Sequence, residues 1–176
     1  QFFALCQAVF KATGLPEDEL TAISPSEQFS ASNYFVATPK FWQSYLPWVN
    51  QVLSLANKKL PPNIRDLMHS KMADDRDLHK GATYVPFIVE RLFPIFMKTA
   101  GKDLKGHKIA LPERERELNV HLKLLREMKD VAHRTKSAWL AACWVNCRNL
   151  YLTQTKGKEW CTKYLRTITP TDIKFS

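Results

Sequence analysis

The stretch Phe29-Ser30-Ala31-Ser32-Asn33-Tyr34-Phe35-Val36-Ala37-Thr38-Pro39-Lys40-Phe41-Trp42 joins two kinds of local chemistry. Residues 29–37 are apolar and aromatic and free of Gly and Pro, which predicts the chain's one strand or hairpin. Thr38 then supplies a side-chain cap and Pro39 a preset first helical residue. Beyond them Phe41, Trp42, Tyr45, Trp48, Val49, Val52 and Ala56 recur at helical spacing. A strand that runs directly into a helix is expected here. Pro47 falls inside that helix and is expected to kink or divide it near Leu46, because its ring removes a backbone donor and crowds the carbonyl of Gln43.

Outward from this stretch, helical patterns dominate. Phe2, Leu5, Cys6, Val9 and Phe10 mark one face of a helix over 2–13, which Gly14 ends. Acidic residues at 17–19 open a short helical turn, and a further helix is expected over 63–72. Residues 83–99 form another, interrupted by Pro94 and closed by Gly101, and a long helix begins at Pro112 with Glu113, Glu115 and Glu117 in its first turn. The long helix should carry a surface pair between Arg126 and Asp130, and it should pack on a helix over 137–152 that a last one over 159–165 follows. Cys143, Trp144, Cys147 and Arg148 cluster there and read as ordinary helix packing. The expected fold is mainly α with one short strand or hairpin. It is divided into a core over 1–112 and a basic C-terminal helical hairpin over 113–176 packed on the same domain.

Glu90 is the residue most in need of a reason. Helical spacing places Pro86, Phe87, Phe93, Pro94 and Met97 around it. A carboxylate on an apolar face is costly unless a partner or a reaction keeps it there. Ionic pairing that ties the helix to its neighbours is the structural alternative.

Charge is distributed unevenly. The net charge is +9 over 176 residues, with nine basic and nine acidic residues in 1–97 against seventeen and eight in 98–176. Trp139, Trp144 and Trp160 are interleaved with the excess. Such a surface suits an anionic partner, whether nucleic acid, an acidic polymer or lipid headgroups, although a solvated Lys and Arg face gives the same composition. No apolar run approaches the ~20 residues needed to span a bilayer. Cys6, Cys143, Cys147 and Cys161 have no metal-ligand spacing and read as reduced thiols, which points to the cytosol. Asp74, Asp75, Asp77 and His79 fit no calcium loop and read as a charged solvent loop. His79 alone among the histidines precedes the Glu90 helix closely enough to lean over its start. Phosphate loops, nucleophile elbows and dinucleotide fingerprints are absent, which weakens the hydrolase and nucleotide-fold readings.

The pattern over 29–42, followed by Tyr84-x-Pro86-Phe87-x-x-Glu90-Arg91-Leu92-Phe93, resembles the C-terminal half of bacterial capsule and polysaccharide glycosyltransferases with a nucleotide-sugar, GT-A-like fold. The likeness covers about residues 25 to 97, with a looser likeness over Trp139 to Leu152. It implies the trailing section of an α/β enzyme that transfers a sugar from a nucleotide-sugar donor to a glycan or lipid-linked acceptor. It also implies that Glu90 is the carboxylate that accepts a hydroxyl proton, with Asn33, Arg91, His79 and Tyr84 around the substrates. Enzymes of this shape hold the donor diphosphate through a divalent metal on an Asp-x-Asp motif placed before the strand. Asp75-Arg76-Asp77 falls after it, so the metal-binding half is expected upstream of Gln1 and no metal ligand is assigned here. The basic end would hold such an enzyme at the cytoplasmic face of a membrane. The contrasting expectation is a noncatalytic basic helical module for nucleic acid or another anionic partner.

Overall fold

The computed structural model describes residues 2–26, 35–72, 80–107, 119–165 and 168–176. These residues are mainly helical: α1 (Phe2–Thr13), α2 (Pro39–Lys59), α3 (Pro62–His69), α4 (Val85–Lys98), α5 (Val120–Thr135), α6 (Ala138–Lys156) and α7 (Lys158–Tyr164), with 3₁₀ turns at Glu17–Leu20 and Pro170–Asp172. They hold no strand, only isolated bridges between Ile23 and Phe175 and between Lys71 and Thr83. The expected strand over 29–37 lies outside the described residues as far as Tyr34, and Phe35 to Ala37 are irregular. A strand needs a neighbour to pair with. The residues around Phe35 are instead helices, and its ring packs among theirs.

The chain forms two compact units, one of Gln1–Leu20 with Ser30–Gly106 and one of Thr21–Phe29 with His107–Ser176. In the first, α1 buries Leu5, Cys6, Val9 and Phe10 and ends at Gly14, whose φ of +74° is a conformation that glycine adopts without strain. Thr38 caps α2 by accepting from the Phe41 N–H at 3.4 Å, and Phe41, Tyr45, Val49, Val52 and Ala56 line its buried face. Pro47 leaves α2 continuous to Lys59, and Pro94 likewise sits inside an unbroken α4. Each proline removes one hydrogen bond, while buried residues on both sides hold the helix together. α3 is shorter than its expected 63–72. Its end is drawn off into the antiparallel bridge, where Met72 N–H donates to Ala82 at 2.9 Å and Gly81 N–H donates back to Met72 at 2.9 Å.

Tyr45 carries an anomaly inside this core. Its side chain is 3% exposed and its hydroxyl finds no hydrogen-bond partner among the described residues. An orphan hydroxyl in an apolar site loses its solvation without compensation. Tyr45→Phe should therefore leave stability unchanged or raise it by about 1 kcal/mol in denaturant titrations. A loss of more than about 1 kcal/mol would show that the hydroxyl is bonded.

The second unit is built on the α5–α6 pair. Asn119 and Ser137 cap the two helices by accepting from Leu122 N–H at 3.1 Å and Leu140 N–H at 3.2 Å. Lys136 turns the chain between them with φ of +53°. Ile23, Ala132 and Ala141 are buried at its centre, with Leu140, Trp144, Ile173 and Phe175 packed against them. The expected start of the long helix at Pro112 lies outside the described residues, and the described helix begins at Val120. Asp130 does not pair with Arg126: its carboxylate accepts from the Ser26 N–H at 2.8 Å and ties the 21–26 segment to α5. A backbone donor held in place by the fold wins over a long side chain that must be ordered to make a surface pair.

Candidate functional site

The described residues of the two stretches that carry the sequence resemblance, 35–42 and 84–93, fall in the first unit, where aromatic rings join them. Phe35 stacks on Phe93 with centroids 4.6 Å apart and on Trp42 at 5.3 Å, and it meets Phe41 and Tyr45 edge-on at 5.3 and 6.0 Å. Phe93 lies one turn beyond Glu90 on α4, so the chain leading into α2 is pinned beside the Glu90 helix. Each such ring pair contributes on the order of 1 kcal/mol beyond the area it buries.

Glu90 is half-buried and makes no hydrogen bond or ion pair with any described residue. Its apolar neighbours Phe87, Phe93, Pro94 and Met97 are half-buried too, while the fully covered face of α4 belongs to Ile88, Leu92, Ile95 and Phe96. The carboxylate thus stands at the rim of the core, reachable from solvent. Arg91 is exposed. Tyr84 is half-buried at the start of α4, with its ring stacked on Phe2 at 6.1 Å. Asn33 and His79 lie outside the described residues. Asn33 precedes the Phe35 anchor by two residues, and His79 falls in the span that the Lys71–Thr83 bridge closes. Asp74, Asp75 and Asp77 lie outside as well. Among the described residues no group of three His, Cys, Asp or Glu side chains could hold a metal ion, and no helix is long and apolar enough to cross a membrane.

Arg91 also acts at Cys6. Burial pushes the Cys6 thiol up to about 11, against the pull of the Arg91 charge, and burial pushes the Tyr45 phenol up to about 12. Both groups stay neutral in the fold where an unfolded chain ionises near 9 and 10. A raised folded pKa contributes its stability in full below the unfolded value and loses it as pH rises through the folded one. The melting temperature should fall as pH rises from 9 to 12, with each group contributing at most about 2 to 3 kcal/mol. Tyr45→Phe should remove the phenol's share. At neutral pH, iodoacetamide should modify the exposed Cys143 and spare the buried Cys6.

The second unit holds a cavity of about 710 Å³ that the sequence reading did not anticipate. It is lined by the 21–24 segment, Lys129 on α5, Trp144 and Arg148 on α6, and Asp172 and Ile173 near the chain's last turn. Trp144 and Arg148 are four residues apart on one helix face, and the guanidinium lies over the indole at 5.2 Å. That Trp-x-x-x-Arg spacing was the available signal for this site, hidden among positions that also suit plain packing. Comparison with protein-family models, curated proteins and solved structures finds no match to this chain.

Proposed function

We propose that the chain is the acceptor-side part of a glycosyltransferase that moves a sugar from a nucleotide-sugar donor to a glycan or lipid-linked acceptor, with Glu90 as its general base. The observation that carries the reading is the state of Glu90: a half-buried carboxylate with no ionic partner among the described residues, on a rim beside the aromatic anchor at Phe35 and Phe93. A bridge that held helices together would need a cation against it, and none of the described cations takes that place.

In the proposed step Glu90 accepts the proton of an acceptor hydroxyl as that oxygen bonds to the donor's anomeric carbon. The bond from that carbon to the nucleotide diphosphate breaks, and the proton later passes to water. Asn33 would hold sugar or acceptor hydroxyls through its amide, and Tyr84 and His79 would sit at the start of the Glu90 helix near the same substrates. Arg91, exposed next in line, would meet a diphosphate with its planar fork. The reading places the donor's metal-binding half outside these residues and requires it upstream. The test is release of nucleoside diphosphate from a panel of nucleotide sugars by the transferase that contains this chain, measured with intact Glu90 and with Glu90→Gln. Equal rates for the two would remove the reading.

A second reading, a noncatalytic basic module, is favoured by the exposure of Trp139 (79%) and Trp160 (38%) in the lysine-rich half. Retention of duplex DNA that weakens steeply with salt, without any turnover of nucleotide sugars, would support it over the transferase.

A further inference from the structure

We infer that the cavity of the second unit binds a small phosphorylated ligand, with the Arg148 guanidinium as its main anion contact and Lys129 as a second positive charge. The inference is independent of the sugar-transfer reading, because it rests on other residues in the other unit.

Arg148 is half-buried, and burial draws its guanidinium below the ordinary arginine value. A cation withdrawn from water is normally matched by a carboxylate. Here no carboxylate of a described residue pairs with it. Its Nη2 and Nε donate to the Asn149 side-chain oxygen at 3.0 and 3.4 Å, and the Trp144 ring covers one face at 5.2 Å. These contacts orient the group without neutralising it. Of a guanidinium's five N–H donors they leave three for a ligand, in the planar fork that fits two phosphoryl oxygens at once.

The rest of the lining narrows the ligand class. Val145, Ile168 and Ile173 add apolar wall, and the volume of about 710 Å³ suits a small molecule. Asp172 is a carboxylate on the same lining. It accepts from Thr169 N–H at 2.9 Å and Thr169 Oγ1 at 2.6 Å, which hold it below the usual carboxylate range and so ionised at neutral pH. A polyanion that filled the cavity would meet this charge. A ligand with one phosphoryl or diphosphate end toward Arg148 and Lys129 and a neutral, hydroxyl-bearing end toward Asp172 would not. A soluble phosphoester and a lipid phosphate headgroup share this chemistry.

The test measures binding of inorganic pyrophosphate to the full chain by calorimetry and phosphorus NMR. In parallel, sedimentation is followed with phosphatidylcholine vesicles, with and without phosphatidic acid. Arg148→Gln should weaken binding about 10- to 100-fold, the loss expected for a charged hydrogen-bonded contact, with helical content unchanged by circular dichroism. If Arg148→Gln fails to fold, Arg148→Lys keeps the charge and loses the fork, and it should weaken binding at least about threefold. Saturable, Arg148-dependent binding of pyrophosphate supports a soluble phosphoester. Arg148-dependent binding to phosphatidic acid vesicles alone supports a headgroup. Binding that ignores both substitutions, or no binding to either probe, overturns the inference.

Discussion

Glu90→Gln should lower sugar transfer by about 10²- to 10⁴-fold, the share of a rate that a positioned general base supplies. Gln has nearly the shape of Glu and keeps hydrogen-bonding capacity, but it cannot take a proton at neutral pH. The carboxylate is half-buried and has no partner among the described residues, so removing its charge breaks no ion pair with any of them. Unfolding free energy should stay within about 0.5 kcal/mol of the unsubstituted chain. The two readouts separate the alternatives. A structural role would shift the melting transition and leave turnover per folded molecule intact, whereas a reacting role moves turnover alone. Nucleoside diphosphate release is the signal, and circular dichroism is the check on folding.

Phe96→Ala should have the largest effect on stability, a loss of about 3 to 5 kcal/mol in denaturant titrations. Phe96 is fully buried, and its ring meets those of Phe41, Tyr45 and Trp48 at 5.7, 5.1 and 5.3 Å. Truncation leaves a void among three large rings that cannot close over it. Gly101 provides an internal control, because a β-carbon there would lie 2.5 Å from the Phe96 ring. Gly101 is also held to Phe96 by its N–H, which donates to the Phe96 carbonyl at 2.7 Å. Gly101→Ala should therefore cost about 1 to 3 kcal/mol on its own by overpacking. Once Phe96 is Ala, the added methyl enters space the ring has vacated, and most of that cost should vanish. Additive losses in the double variant would mean that ring and glycine do not meet.

Most helices were legible because their signals are local. The 3.6-residue spacing of Leu5, Cys6, Val9 and Phe10, the Thr38-Pro39 start and Gly14 at a helix end each depend on a few neighbours, and the helices form there. The prolines show the limit of local signals, since neither Pro47 nor Pro94 divides its helix. Pro47 and Pro94 carry a local cost, but whether a helix breaks depends on the burial around it, which adjacent residues do not encode. Residues 35–37 are irregular for a related reason, since β structure is completed only by a partner from elsewhere in the chain.

The candidate sites divide along the same line. Glu90 stood out because a carboxylate among aromatics at helical spacing is visible in one dimension. The Arg148 cavity was not, because Ile23, Lys129, Arg148 and Asp172 come from separate stretches that only the packing of α5 and α6 brings to one lining. Asp130 shows the shift in miniature: its spacing to Arg126 proposes a helix-surface pair, and the fold gives it the Ser26 amide instead.

By itself, then, the amino-acid order determined a mainly helical chain, the starts of α1 and α2, the basic excess over 98–176 and the spacing of one carboxylate among aromatic residues. Tertiary structure alone decided that the 21–26 segment belongs with the C-terminal helices, that Phe35 anchors on Phe93, and that an arginine with no carboxylate partner among the described residues lines a cavity. The reason is range. Backbone hydrogen bonds and side-chain spacing act over about four residues, whereas burial and charge compensation are properties of whichever distant residues the folded chain brings into contact.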